Sequence, residues 1–278
     1  EYIEKEIKIK NIDRSDKMEN NGKPKKIVGR NFRANLLLYS CIILGCYALF
    51  NVNKFFIKDF ERGYSATGMG YVLAIVVINF FLILFAFIIP YFVAKLYPKI
   101  YFYDEGFTRG KNGAFIYYEK MDYFFIPGLV KGKEFLEIRY TNNEGEWKAI
   151  PGQGYPTNGF DLFQQDFVNL NYPKAMKCLE NNEKIEFLFN DPKKKIIAFG
   201  RKNYMKKKLE QAMKIIVTRE SITFDNEVYE WDKYKIFVNL GNIIVKEQDG
   251  TNILSLGPTA LIHRPNLLEV IVSTLGKK

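Results

Sequence analysis

Residues 143–152 read NEGEWKAIPG and residues 248–257 read QDGTNILSLG. Each stretch holds an acid-glycine pair, Glu144-Gly145 or Asp249-Gly250, of the kind that closes a tight antiparallel turn. The spacing of 105 residues continues without a gap into 158–170 (NGFDLFQQDFVNL) and 263–275 (HRPNLLEVIVSTL). In the first of these, Phe160, Phe163, Phe167 and Leu170 fall at helical spacing; in the second, Leu267, Leu268, Ile271 and Leu275 do. Upstream, 101–108 (YFYDEGFT) parallels 216–223 (IVTRESIT), and Tyr118, Glu119 and Lys120 parallel Trp231, Asp232 and Lys233. The small changes of offset fit a longer turn around Gly110 and Gly113 and a longer loop around Gly128 and Gly132 in the first copy. A periodic self-similarity of this kind predicts one architecture built twice.

The grammar of each copy is strand, turn, strand, an aromatic-acid-lysine step, a hairpin, and an amphipathic helix. A helix stripe must cover the open apolar end of a bent antiparallel sheet, which predicts an α+β unit capped by its C-terminal helix. The pattern resembles the bacterial pleckstrin-homology-like (PH-like) domain, and a two-helix membrane hairpin ahead of such a domain resembles the YcxB-like class of small bacterial membrane proteins. The resemblance spans residues 34–170 once and 215–275 a second time, without a membrane hairpin in the second copy. It rests on fold features and implies no catalytic residues.

Residues 34–53 (ANLLLYSCIILGCYALFNVN) carry no charge, and neither do residues 63–94. About 20 apolar residues cross a ~30 Å hydrocarbon core, so two transmembrane helices are expected, near 34–53 and 69–94, joined by a short loop at 54–62. Arg30, Arg33, Lys54, Lys95 and Tyr97 stand where spans meet the interface. Basic residues are denser before the first span and after the second than in the loop, which has Lys54, Lys58 and Arg62. Both termini are therefore expected in the cytoplasm, at a bacterial inner membrane. Cys46 follows Ile43, Leu44 and Gly45 in a loose likeness to a lipoprotein cleavage site, but the preceding basic region is too long for a signal peptide. Cys41 and Cys46 are expected to be small packing residues within a span.

The expected organisation is a charged cytoplasmic arm (1–33), the two spans (34–97), a first PH-like domain (98–170), a basic connecting segment (171–214) and a second PH-like domain (215–278). The net charge of +10 is uneven over these parts. The arm has 10 Lys/Arg against 6 Asp/Glu and the connecting segment 12 against 5, whereas the domains have 8 against 10 and 7 against 8. This distribution argues against a nucleic-acid partner, which calls for a broad basic face. Ile185–Phe189 could form a strand and residues 204–213 a helix. Between them, Lys193, Lys194, Lys195, Arg201, Lys202, Lys206, Lys207 and Lys208 alternate with Ile196, Ile197, Phe199, Tyr204 and Met205. Such a cluster is the expected lipid- or partner-binding surface, since each basic residue near an anionic leaflet contributes about 1 kcal/mol. A solvated basic helix is the plain alternative.

Chemistry is sparse. One histidine and three cysteines allow neither a histidine-based metal cluster nor a disulfide framework. His263 precedes Pro265, where a polar residue is expected as a helix cap. Cys178 is isolated, and no phosphate-binding glycine loop is present. Residues 151–156 read as turn chemistry, and Trp147 and Trp231 as aromatics of the two sheets. The sequence thus predicts a non-enzymatic, membrane-anchored binding protein with no metal and no cofactor. Its expected partners are membrane lipids, including anionic headgroups, and a protein. The alternative is an immunity protein that neutralises a secreted antibacterial toxin. Transport by a monomer is disfavoured, because Asn79 alone is polar at depth in the second span.

Overall fold

The computed structural model describes residues 22–62, 69–127, 135–194 and 201–276. The chain enters through strand β1 (Lys26–Val28) and then helix α1 (Phe32–Glu61). Helix α2 consists of Met69–Ile83, a π-helical turn Leu84–Ile88, and Ile89–Leu96. Pro90 explains the π turn: it has no N–H to give the carbonyl one turn back, and the widened turn makes room for its ring. Strands β2 (Ile100–Phe102), β3 (Gly106–Arg109) and β4 (Phe115–Tyr117) follow and complete a four-stranded antiparallel sheet in the order β1-β2-β3-β4. Strands β5 (Tyr123–Pro127), β6 (Phe135–Thr141) and β7 (Trp147–Pro151) make a three-stranded sheet, and helix α3 (Asp161–Glu180) closes the unit.

The second unit repeats this plan. Strand β8 (Ile185–Phe189) pairs with β9 (Met213–Val217) across an insert that contains helix α4 (Arg201–Glu210). Strands β10 (Ser221–Phe224) and β11 (Glu227–Glu230) complete the sheet β11-β10-β9-β8. Strands β12 (Lys235–Asn239), β13 (Asn242–Lys246) and β14 (Asn252–Leu256) form the smaller sheet, and α5 (Pro265–Leu275) closes the unit. The repeat extends to single hydrogen bonds. Tyr118 N donates to Glu105 O at 2.9 Å, and Trp231 N donates to Glu220 O at 3.0 Å. Gly145 N donates to Asn142 O and Gly250 N to Glu247 O, with both glycines at positive φ, +76° and +96°.

Both units therefore carry an insert between their first and second strands. In the first it is the pair of apolar helices; in the second it is the basic insert with α4. The sequence reading left β1 in the charged arm, because a three-residue strand is visible only through its partner, and gave Ile185–Phe189 as a possible strand of the connecting segment; that strand is β8, paired with β9. It also ended the first closing helix at Leu170, whereas α3 continues through Pro173 to bury Ala175 and Leu179. The loop expected at 54–62 is instead the last two turns of α1, since a helix need not stop where its apolar stretch stops. The expected loop at 128–132 and the possible element at Ile3, Ile7 and Ile9 lie outside the described residues.

The first unit is held by aromatics. Phe163 on α3 lies 6.2 Å from Phe107, 5.6 Å from Tyr118 and 4.9 Å from Tyr123. These rings join both sheets to the helix. In the second unit Ile215, Val217, Ile222, Ile236, Ile243 and Val245 meet Leu268, Ile271 and Val272 in one buried cluster continuous with the first.

The two long helices behave differently. Only 11% and 6% of their most apolar stretches are buried within the protein. Leu37, Ile43, Leu44, Phe50, Val72, Leu73, Phe80 and Phe81 are all exposed. They are long and apolar enough to cross a membrane, and they leave apolar surface that a soluble core helix would bury. They pack antiparallel: Gly45 meets Ala86, Asn53 Nδ2 donates to Asn79 Oδ1 at 2.7 Å, and Tyr71 Oη donates to Asp59 Oδ2 at 3.0 Å. A Cβ on Gly45 would lie 2.5 Å from the Ala86 Cβ, so glycine sets the closest approach. Cys46, expected as a packing residue, is exposed, and Gly45 does the packing.

Candidate membrane and partner interface

The helix pair joins the first unit through two three-residue connectors, 29–31 and 97–99. A collar of contacts fixes both. Asn31 caps α1 by accepting from Ala34 N at 2.9 Å. Its Nδ2 donates to Gln153 O at 2.9 Å and Tyr155 O at 3.2 Å, and its backbone N donates to Gly154 O at 2.8 Å. Tyr155 Oη donates to Pro98 O at 2.7 Å, and its ring packs on Tyr97. Burial, ahead of neighbouring charges, pushes the Tyr155 hydroxyl up to about 12. Arg30 ties the helices together, with Nε to Asn35 Oδ1 at 3.1 Å and Nη1 to Ala94 O at 3.4 Å. Gly154 has to be glycine, because a Cβ there would fall 2.0 Å from the Tyr97 ring. Residues 151–156, read from sequence as a plain turn, are thus the socket for the helix ends. The partners of Asn31 and Tyr155 are 122 and 57 positions away, and no local pattern announces them.

Of the eight basic residues of the expected binding segment, the described ones differ in exposure. Lys193 and Lys194 follow β8 on an exposed turn, where Lys194 Nζ donates to Gln211 O at 3.0 Å. Lys195 and the side chains of Arg201 and Lys202 lie outside the described residues. Lys206 and Lys207 are exposed on α4, and Lys206 is 3.9 Å from Glu210. Lys208 is the departure. It is buried, 9% exposed, with its Nζ 4.8 Å from the Phe124 ring centroid and 5.7 Å from that of Tyr204. Desolvation lowers its pKa, and the charge of Arg139 lowers it further, against a smaller opposing effect of Glu137. The helix spacing explains this: Met205 and Lys208 are one turn apart and turn inward together.

Strand register locates α4 relative to the collar. In the β5-β6-β7 sheet, Phe124 pairs with Arg139 and Arg139 with Ala149; Ile126 pairs with Glu137 and Glu137 with Pro151. Pro151 leads directly into the turn that grips Asn31. Arg139 and the Lys208 ammonium over Phe124 therefore lie two strand residues, about 7 Å, from the level of the collar. Phe125, Ile138 and Ile150 fill the core, so by alternation Phe124, Arg139 and Ala149 face the other way, toward the second unit.

That outer face is where the units meet. His263 stacks on Phe124 at 4.9 Å with 12° between planes and meets Trp147 edge-on at 5.4 Å. Its Nδ1 is 2.6 Å from Asp122 Oδ2, while its Nε2 is buried without a partner. The histidine was expected to cap the last helix. Arg264 takes that position instead, at φ +53°, and neither residue makes a side-chain cap bond. The left-handed step turns His263 inward and carries Arg264 N onto Tyr123 O at 2.6 Å, with its guanidinium over Phe187. Asn266 accepts from Tyr123 Oη at 2.9 Å and donates to Gln164 at 3.1 Å. Burial drives the Tyr123 hydroxyl far above its ordinary range. Neither nitrogen of His263 contacts a serine, threonine or cysteine side chain among the described residues. The arrangement is a packed contact between the two units. No group of three potential metal-ligating side chains is gathered among the described residues. Compared with family models, curated proteins and solved structures, the chain matches none of them.

Proposed function

We propose that the chain is a membrane-anchored, non-enzymatic docking protein of the bacterial cytoplasmic membrane, in which a transmembrane hairpin holds two PH-like units against the cytoplasmic face. The observation that carries this reading is the splice: the exposed apolar helices leave and re-enter a single sheet through two three-residue connectors locked by the collar. Such an attachment fixes the height and orientation of the units above the lipid. The four-plus-three strand plan with a closing helix, built twice, supports the PH-like assignment. Charge supports the orientation. Lys23, Lys25, Lys26, Arg30, Arg33, Lys95 and Lys99 cluster at the collar end. At the far end Lys54, Lys58 and Arg62 are partly offset by Asp59 and Glu61. Exposed Lys193, Lys194, Lys206 and Lys207 add positive charge outside the membrane-spanning part and favour an anionic lipid or an acidic protein surface. A fragment starting at residue 98 would lack β1, so the test uses the full chain. Trypsin added to inside-out vesicles is expected to cut the two units, and right-side-out vesicles to protect them. Cleavage of the units from the outside would refute the orientation.

A further inference from the structure

Lys208 is costly where it stands. A charged side chain removed from water needs a countercharge or a set of hydrogen bonds. Among the described residues no carboxylate lies within ion-pair distance of Lys208, and its close neighbours are the rings of Phe124 and Tyr204. The cross-strand partner of Phe124 is Arg139, a second cation on the same face. Arg139 Nη2 is taken by Glu137 at 2.8 Å, but its Nε is buried with no acceptor. Around Phe124, Lys208 and Arg139 are thus two neighbouring cations, with Glu137 bonded to Arg139 and Asp122 turned to His263 and Arg264. A methionine would fill the same space over Phe124 without the charge. A lysine whose stem is buried this far keeps its ammonium as the part that reaches toward water.

We propose that Lys208 and Arg139 form a binding site for a phosphate group, that of an anionic membrane lipid headgroup. The assignment rests on the membrane-anchored reading above. The headgroup layer is roughly 5–8 Å deep on each side of the hydrocarbon. The cation pair stands about 7 Å from the collar level along the strands, which matches a lipid phosphate at the edge of that layer. A phosphate presents several acceptor oxygens and can take the ammonium together with a terminal guanidinium N–H of Arg139. The aromatic walls exclude water from one side and strengthen both contacts.

The test uses the full chain in nanodiscs of phosphatidylcholine, with or without phosphatidylglycerol, and reads acetylation of Lys208 by mass spectrometry against exposed Lys177 on α3. Phosphatidylglycerol is expected to slow Lys208 acetylation about tenfold relative to Lys177, the effect of one charge-assisted contact. Arg139→Gln is expected to remove that protection, and Lys208→Met to leave one fewer phosphatidylglycerol bound in native mass spectra. Lys208→Arg is expected to restore the lipid count, and tryptophan fluorescence reports whether each variant is folded. Equal acetylation rates in the two lipid mixtures would overturn the proposal, as would protection that survives Arg139→Gln. Protection by inorganic phosphate but not by phosphatidylglycerol would overturn the lipid assignment. Failure of the chain to enter nanodiscs at all would strike the membrane reading itself, a separately visible result.

Discussion

Replacing Asn31 with alanine should loosen the helix pair from the first unit, and the structure sets the size of the effect. The side chain makes three hydrogen bonds: it accepts from Ala34 N and donates to Gln153 O and Tyr155 O. Loss of the helix cap costs about 1 kcal/mol. Each lost donor bond costs about 0.5–1 kcal/mol, because both acceptors lie where water can partly replace the amide. The Ala variant should therefore lose about 2–3 kcal/mol, close to a hundredfold in the folded/unfolded ratio. Asn31→Ser separates the contributions, since serine keeps the cap and drops the donors; it should recover about 1 kcal/mol. Urea unfolding of the full chain in detergent micelles, followed by tryptophan fluorescence, measures these differences. Hydrogen exchange of a peptide covering residues 29–35 should speed up in the Ala variant, because Asn31 N is bonded to Gly154 O. An Ala variant within about 0.5 kcal/mol of the parent, as expected for an ordinary surface site, with unchanged exchange, would refute the collar as the element that fixes the helices.

Other expectations follow from single features. Asn79→Leu removes the bond from Asn53 across the helix pair and should weaken helix association by about 0.5–1.5 kcal/mol, measurable as a lower unfolding midpoint in micelles; an unchanged midpoint would mean the bond is not formed. Leu240 is 94% exposed and stands at φ +47° in the two-residue turn between β12 and β13, followed by Gly241 at +71°. Leu240→Asn suits that turn and should stabilise the protein by about 0.5–1 kcal/mol, seen as a raised urea midpoint; a lower midpoint would show that Leu240 packs against something. Tyr155 has a folded-state pKa raised to about 12 against an ordinary value of about 10. Its contribution to stability is complete below pH 10 and is lost as pH rises toward 12. Tyr155→Phe should flatten that alkaline loss, and a variant with the same slope above pH 10 would exclude this hydroxyl as its source.

Most of the fold was legible where periodicity is long or a repeat is present. The uncharged stretches, the hairpin turns at Gly145 and Gly250 and the stripe of Phe160, Phe163 and Phe167 all announce their elements locally. Strand β1 was not legible, because three residues gain their identity only by pairing with β2, whereas Ile185–Phe189 was legible as a possible strand and lacked only its pairing with β9. The inserts between strands one and two kept those first strands out of the repeat that the later strands announce. The basic segment was legible as charge but not as geometry. Helix phase turns Lys208 inward and leaves Lys206 and Lys207 outside, and no composition count contains that distinction. Arg139 was missed because its partner in space is 69 positions on in sequence. His263 looked like a cap because it precedes a proline-led helix; the left-handed backbone of Arg264 redirects it to Asp122.

The central claim is that the helix pair lies in the bilayer and holds the two units at its surface. Native Cys46 is exposed midway along α1, which makes it a direct depth probe. With Cys41 and Cys178 replaced by serine, a spin label on Cys46 of the full chain in lipid bilayers reports collisions with oxygen, which concentrates in hydrocarbon, and with a water-soluble nickel chelate. The account predicts frequent collision with oxygen and little with the chelate. Free access of the chelate to Cys46 in intact bilayers would contradict it.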